Sequence, residues 1–144
     1  MATLYSQQAS AGVSPKGLRV GLVAVASTYS LAASLSTGDV IQMVKVPAGA
    51  TVVNIIFKSY TSGAGNGSVR IGDGVNTTRY IQDYAVSVSA SPVFLNNPAW
   101  RPYEYSADDT IDVLVSASAT WSGTGGGFDL VAIYSMDVEP YTTP

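Results

Sequence analysis

The sequence contains no cysteine and no histidine. Without thiols there is no disulfide framework, no Cys-ligated zinc and no thiolate nucleophile. Without imidazole, His-based metal sites and Ser-His-Asp triads go as well. Charge is also scarce: 12% of the residues are charged, about half the roughly 25% of an ordinary soluble domain. The seven basic residues are scattered singly and the formal net charge is −3, so no basic stripe marks a nucleic-acid footprint. Glutamate occurs only at Glu104 and Glu139 and lysine is rare, which removes most strong helix formers. No uninterrupted apolar run approaches the ~18 residues of a membrane span. The opening MATLYSQQASAGVSPK has neither the basic n-region nor the apolar h-region of a secretory signal, and synthesis in a cytoplasm is expected.

What remains favours strands. The 144 residues suit one domain, which buries roughly two thirds of its unfolded surface. Hydrophobic residues make up 47% of the chain, and Val, Ile, Thr and Tyr dominate the apolar positions. Eighteen serines and twelve threonines supply most of the surface that charge does not. Strands are predicted at Leu18 to Ser27, Asp39 to Val46, Thr51 to Tyr60, Gly67 to Ile71, Arg79 to Tyr84, Pro92 to Leu95, Thr110 to Ala117 and Phe128 to Met136. About eight strands with turn signals between them indicate an all-β sandwich or barrel. Residues 1–16 are expected to form an extended arm, 17–138 the β domain and 139–144 a tail. In the arm, Gln7 to Gly12 lack an amphipathic period, while Leu4 and Tyr5 offer a small apolar anchor. The segment Tyr29 to Ser36 fits either a strand or a short helical turn. Val46-Pro47-Ala48-Gly49 has proline second and glycine fourth, the preference of a type I turn, and Ile71-Gly72-Asp73-Gly74 reads as a tight Asp-Gly turn.

Alternation selects core faces. In Thr51 to Tyr60, Val53, Ile55 and Phe57 are expected inside, with Val52, Asn54, Ile56, Lys58 and Tyr60 opposite. In Thr110 to Ala117, Ile111, Val113, Val115 and Ala117 are expected inside, with Asp112, Leu114 and Ser116 outside. In the last strand Phe128, Leu130, Ala132, Tyr134 and Met136 face Asp129, Val131, Ile133 and Ser135 across the sheet. The second faces are half apolar, so Val52, Ile56, Tyr60, Leu114, Val131 and Ile133, together with Leu4 and Tyr5, are candidates for an interface. A contiguous apolar patch marks an interaction site, and low charge with abundant tyrosine has an interface's composition. Cover by loops or the arm of the same chain is the alternative.

Candidates for chemistry are few. Asp108, Asp109 and Asp112 offer oxygens for a cation, but a polar turn before a strand explains the pair better. Gly63, Gly65 and Gly67 resemble a phosphate loop yet lead into a strand, not a helix. Trp100, Trp121, Tyr103 and Tyr105 are rings able to stack on sugars or to pack a core. No catalytic residue, metal site or cofactor is predicted.

Three segments, Ser34 to Ile41, Val44 to Ala50 and Asp109 to Val113, resemble small structural proteins of tailed bacteriophages, specifically the capsid decoration, or cement, class. The resemblance runs from about Leu31 to Tyr134. It implies a jelly-roll-like antiparallel sandwich on the capsid exterior. Such a unit self-associates as a dimer or trimer and bridges major capsid subunits, without catalytic residues, nucleic acid or membrane. The alternative is a carbohydrate-binding module or the receptor-binding head of a virion fibre, using Trp100 and Trp121.

Overall fold

Val, Ile and Thr are stiff at χ1 and fit a pleated surface best, and where they gather the chain is extended. The computed structural model describes residues 3–5, 22–60, 67–86, 91–117 and 126–136, and among these it has nine strands and no helix. They are β1 (Thr3–Tyr5), β2 (Leu22–Ser30), β3 (Val40–Val46), β4 (Ala50–Tyr60), β5 (Gly67–Gly72), β6 (Ile81–Val86), β7 (Val93–Phe94), β8 (Asp109–Ala117) and β9 (Gly127–Met136). One sheet has the order β1-β3-β8-β5-β6 and the other β2-β9-β4-β7. Every pairing is antiparallel except β1 with β3. Leaving β1 aside, two four-stranded sheets, with every successive pair of strands except β5–β6 crossing between them, form the jelly roll, a double Greek key. The alternative of a barrel is thereby settled in favour of a sandwich.

The core lies between the sheets. Phe57 of β4 meets Phe128 of β9 at 5.6 Å between ring centroids and Tyr84 of β6 edge-on at 5.7 Å, while Tyr29 of β2 stacks on Phe128 at 6.4 Å. Ile41, Ile55, Ile71, Ile111 and Leu130 are fully buried around them. Each such side chain contributes roughly 1.5–3 kcal/mol relative to exposure.

Bulges correct the expected faces. The β4–β9 register shifts between Val52 and Asn54, so the extra residue, Val53, breaks the two-residue period. Val52 is therefore core at 1% exposure, while Val53 is 39% exposed. Val52 is not an interface residue. A second shift between Gln42 and Val44 buries both Met43 and Val44. In β8, Ile111, Val113 and Val115 face in as expected, but Ala117 is exposed and Asp112, on the opposite face, is buried.

The corner after β3 is displaced by one residue. Ala50 N–H donates to the Pro47 carbonyl, and Gly49, at φ 83°, holds the third position. Positive φ there is the type II requirement, which glycine meets without a Cβ clash. After β5 the expected tight turn is a wider loop closed by Asp73, whose backbone N–H donates to the Asn76 carbonyl. β6 starts at Ile81, not Arg79, and carries a bulge at which Asp83 adopts φ 40°. β2 continues past Ser27 to Ser30, and the ambiguous segment then bends, burying Leu31 and Leu35. β1 was not predicted. It adds a parallel edge strand to β3, with Leu4 packed against the core.

Candidate functional site

At one end of the sandwich the β3–β4 corner, the loop 73–80 and the connector 95–108 are tied together. Gly49 N–H donates to the Tyr105 carbonyl at 2.7 Å, and Tyr105 N–H to that of Ala50 at 2.9 Å. Ala48 N–H reaches the Asp108 carboxylate at 2.9 Å. From the other side Asn96 and Asn97 N–H groups both donate to the Tyr80 carbonyl at 3.2 Å.

The hub of this end is Asp73, 2% exposed. Its Oδ1 accepts the backbone N–H groups of Val75 (3.0 Å) and Asn76 (2.7 Å), the self-capping typical of aspartate in turns. Its Oδ2 accepts Arg79 Nε–H and the Tyr105 hydroxyl at 3.2 Å. The Tyr80 hydroxyl continues the chain, 2.7 Å from that of Tyr105. Burial pushes both phenols above the usual tyrosine range, which keeps them protonated as donors. Arg79 also lies over the Tyr103 ring, with Cζ 3.6 Å from its centroid, and Tyr103 meets Tyr105 edge-on at 5.1 Å. A carboxylate so fully engaged is an organising group, with no lone pair free for acid–base work.

Beside the hub opens a pocket of about 310 Å³ between Asn76, Thr78, Gln82, Trp100, Arg101 and Tyr103. Of the ring candidates, Trp100 and Tyr103 line it, Tyr105 lies buried in the hub, and Trp121 falls outside the described residues. The aspartates do not converge. Asp108 caps Ala48, Asp109 accepts Thr110 N–H, and Asp112 accepts the Thr110 hydroxyl. Among the described residues no group of three or more acidic side chains is placed to hold a metal.

A second feature is the outer face of the sheet β2-β9-β4-β7. Paired residues share a face, and the registers Ala26 with Val131, Val131 with Ile56 and Ile56 with Phe94 line up one apolar row across all four strands. Ile133, paired with Ala24, extends it along β9. Phe94 is 55% exposed. Next to the row Asp129 stands between Thr28, whose hydroxyl it accepts at 2.8 Å, and Lys58. Of the predicted interface residues, Ile56, Val131 and Ile133 thus come together. Tyr60 lies across Gly127 at the end of the same face, and burial raises its pKa. Leu114 is separate, half-buried on the outer face of β8 beside Val40 and Arg70. Leu4 sits at the β1 edge, and the side chain of Tyr5 lies outside the described residues. Phe94 was missed because a two-residue strand shows no alternation. Arg79 was missed, and Asp73 was expected in a tight turn and not as the centre of a network, although the spacing of Asp73 and Asn76 is that of a self-closing loop.

No family model and no curated protein matches the chain. Chains of solved phage capsids are similar in fold. A chain of the capsid of Ralstonia phage GP4 matches with a TM-score of 0.75 and 17% identity, covering 95% of this chain and 99% of that one. A chain of the capsid asymmetric unit of cyanophage Pam1 gives 0.67 and 15%, covering 87% and 91%. A chain of the acid-stable capsid of Helicobacter pylori bacteriophage KHP30 gives 0.57 and 12%, covering 83% and 90%.

Proposed function

We propose, from a jelly roll whose solved likenesses are chains of phage capsids, that this protein is a structural component of a virion that decorates and stabilises the capsid from outside. Its partners are the major capsid protein and other copies of itself. The observation that carries this reading is the apolar row Ala26, Val131, Ile56 and Phe94, which crosses a whole sheet on its outer side. Seating that row on a capsid subunit removes apolar surface from water, at roughly 25 cal/mol per Å². One such contact is modest, but identical contacts repeated over a lattice gain strength through multivalency. The scarcity of charge makes them insensitive to salt.

The test is co-sedimentation with undecorated capsids, comparing the native protein with Ile56→Asp. The native protein is expected to bind in numbers that follow the lattice. Ile56→Asp should keep its melting temperature and lose binding. Undiminished capsid binding by that variant, or only a handful of copies in purified particles, would overturn the reading.

A further inference from the structure

The pocket at the loop end shares no residue with the apolar row. What it accepts follows from which of its groups are already engaged. Asn76 Oδ1 accepts both the N–H and the hydroxyl of Thr78. Asn97 Oδ1 accepts Ala99 N–H, and its amide N–H donates to the Thr78 carbonyl. The acceptors of both asparagines are therefore used within the chain. The donors of the Asn76 amide, and the side chain of Gln82, have no protein partner among the described residues. Arg101 donates one N–H to the Trp100 carbonyl at 2.8 Å, and the rest of its fork has no partner among the described residues.

Charge narrows the choice. Arg79 is neutralised by Asp73, and among the described residues no carboxylate lines the pocket. Arg101, which makes no ion pair among the described residues, is then its uncompensated charge. The walls add Trp100 and the prolines Pro98 and Pro102. The pocket is at the small end of the 300–1,000 Å³ typical of ligand sites. A fitting ligand is small, anionic and rich in acceptors, with a flat apolar face for an aromatic ring. A peptide fits poorly, because it brings as many backbone donors as acceptors. A free phosphate or carboxylate leaves the aromatic wall unused.

We propose that the pocket formed by Trp100, Arg101, Gln82 and Asn76 binds a single acidic sugar residue. The carboxylate sits on Arg101, the hydroxyls on the Gln82 and Asn76 amides, and the apolar ring face on Trp100. The proposal does not depend on the capsid reading. On a decorated particle it would make the protein a reader of acidic polysaccharide.

The experiment uses the full chain and follows the Trp100 indole N–H resonance, assigned with Trp100→Phe, during titration with D-glucuronic acid and N-acetylneuraminic acid. Methyl glucoside and sodium acetate serve as comparators. At least one acidic sugar is expected to shift the resonance saturably in the millimolar range and to bind more tightly than either comparator. Arg101→Gln, its fold checked by an unchanged melting curve, should weaken the acidic sugar about tenfold, as for one charge-assisted hydrogen bond. It should leave methyl glucoside unaffected. The proposal is overturned if neither acidic sugar binds saturably, if acetate alone matches the acidic sugar, or if methyl glucoside binds as tightly. Indifference of the acidic sugar to Arg101→Gln overturns it as well.

Discussion

The Thr110 hydroxyl donates to Asp112 Oδ1 across 2.7 Å, both residues lying below the surface on the outer face of β8. Burial raises the Asp112 carboxyl to about 7 from 3.8; Thr110 opposes the shift, and the charges of Asp109 and Asp73 add to it. Between those two pH values the folded chain holds a proton that the unfolded chain has released. This group's contribution to stability is therefore fully present below about pH 4 and lost as pH rises through about 7. Asp112→Asn is expected to flatten that dependence and to stabilise the protein near pH 8 by on the order of 2–4 kcal/mol. Urea unfolding at both pH extremes measures it, and an unchanged slope against pH would refute the assignment.

Gly72 and Gly74 separate two roles of glycine in one loop. A Cβ on Gly72 would lie 2.0 Å from the Asn76 carbonyl oxygen and 2.5 Å from the Thr77 carbonyl carbon, whereas one on Gly74 would meet nothing within 4 Å. Gly72→Ala should cost about 2–3 kcal/mol, because backbone must move. Gly74→Ala should be neutral or stabilise by up to about 1 kcal/mol through a less free unfolded chain. Denaturant midpoints with equal m-values would report both.

Asp73→Ala removes the acceptor for two loop amides, for Arg79 and for Tyr105 at once. The expected loss is about 2–4 kcal/mol. Tyr105→Phe, which deletes only one of those donors and leaves the Tyr80 hydroxyl short of a partner, should cost about 1–2 kcal/mol. In a double-mutant cycle the two losses should fall short of additivity. Full additivity would mean that Tyr105 and Asp73 act independently.

Val52→Asp and Ile56→Asp test the bulge in β4. Val52 is 1% exposed, so an aspartate there should unfold the domain. Ile56 is on the outer row, and its variant should melt normally. Circular dichroism decides between them, and equal melting temperatures would place both side chains on one footing.

Much of this architecture can be read from the chain because strands announce themselves twice, by β-branched residues at alternate positions and by turn residues at their ends. That is why a segment was predicted for each of β2 to β9. The phase of the alternation is less visible. Val52 and Val53 are chemically identical, and which one faces the core depends on a bulge imposed by pairing with β9, eighty residues away in sequence as with Thr51 and Ser135 (a separation of 84). The same limit applies to the pocket. Trp100 and Tyr103 were marked by their rings, but Arg79, Gln82 and Arg101 gained meaning only when hydrogen bonds from Asn96 and Asn97 to Tyr80 brought the connector against the loop. Asp112 read as a solvated residue because period two reports side, not depth.

The pairing of β2 with β9 also governs how a copy comes into being. Thr28 bonds to Asp129, 101 residues later in the chain, so the first long strand waits at the ribosome until synthesis has passed β9. Such remote pairing slows folding, to milliseconds or seconds in all-β domains. During that wait β2 and β4 lack the strand that lies between them in the finished sheet, and their open edges can pair with those of other nascent chains. A cell producing many copies at once therefore faces a race between self-completion and tangling. Slower synthesis or a lower temperature should raise the yield of folded protein more than any gain in final stability.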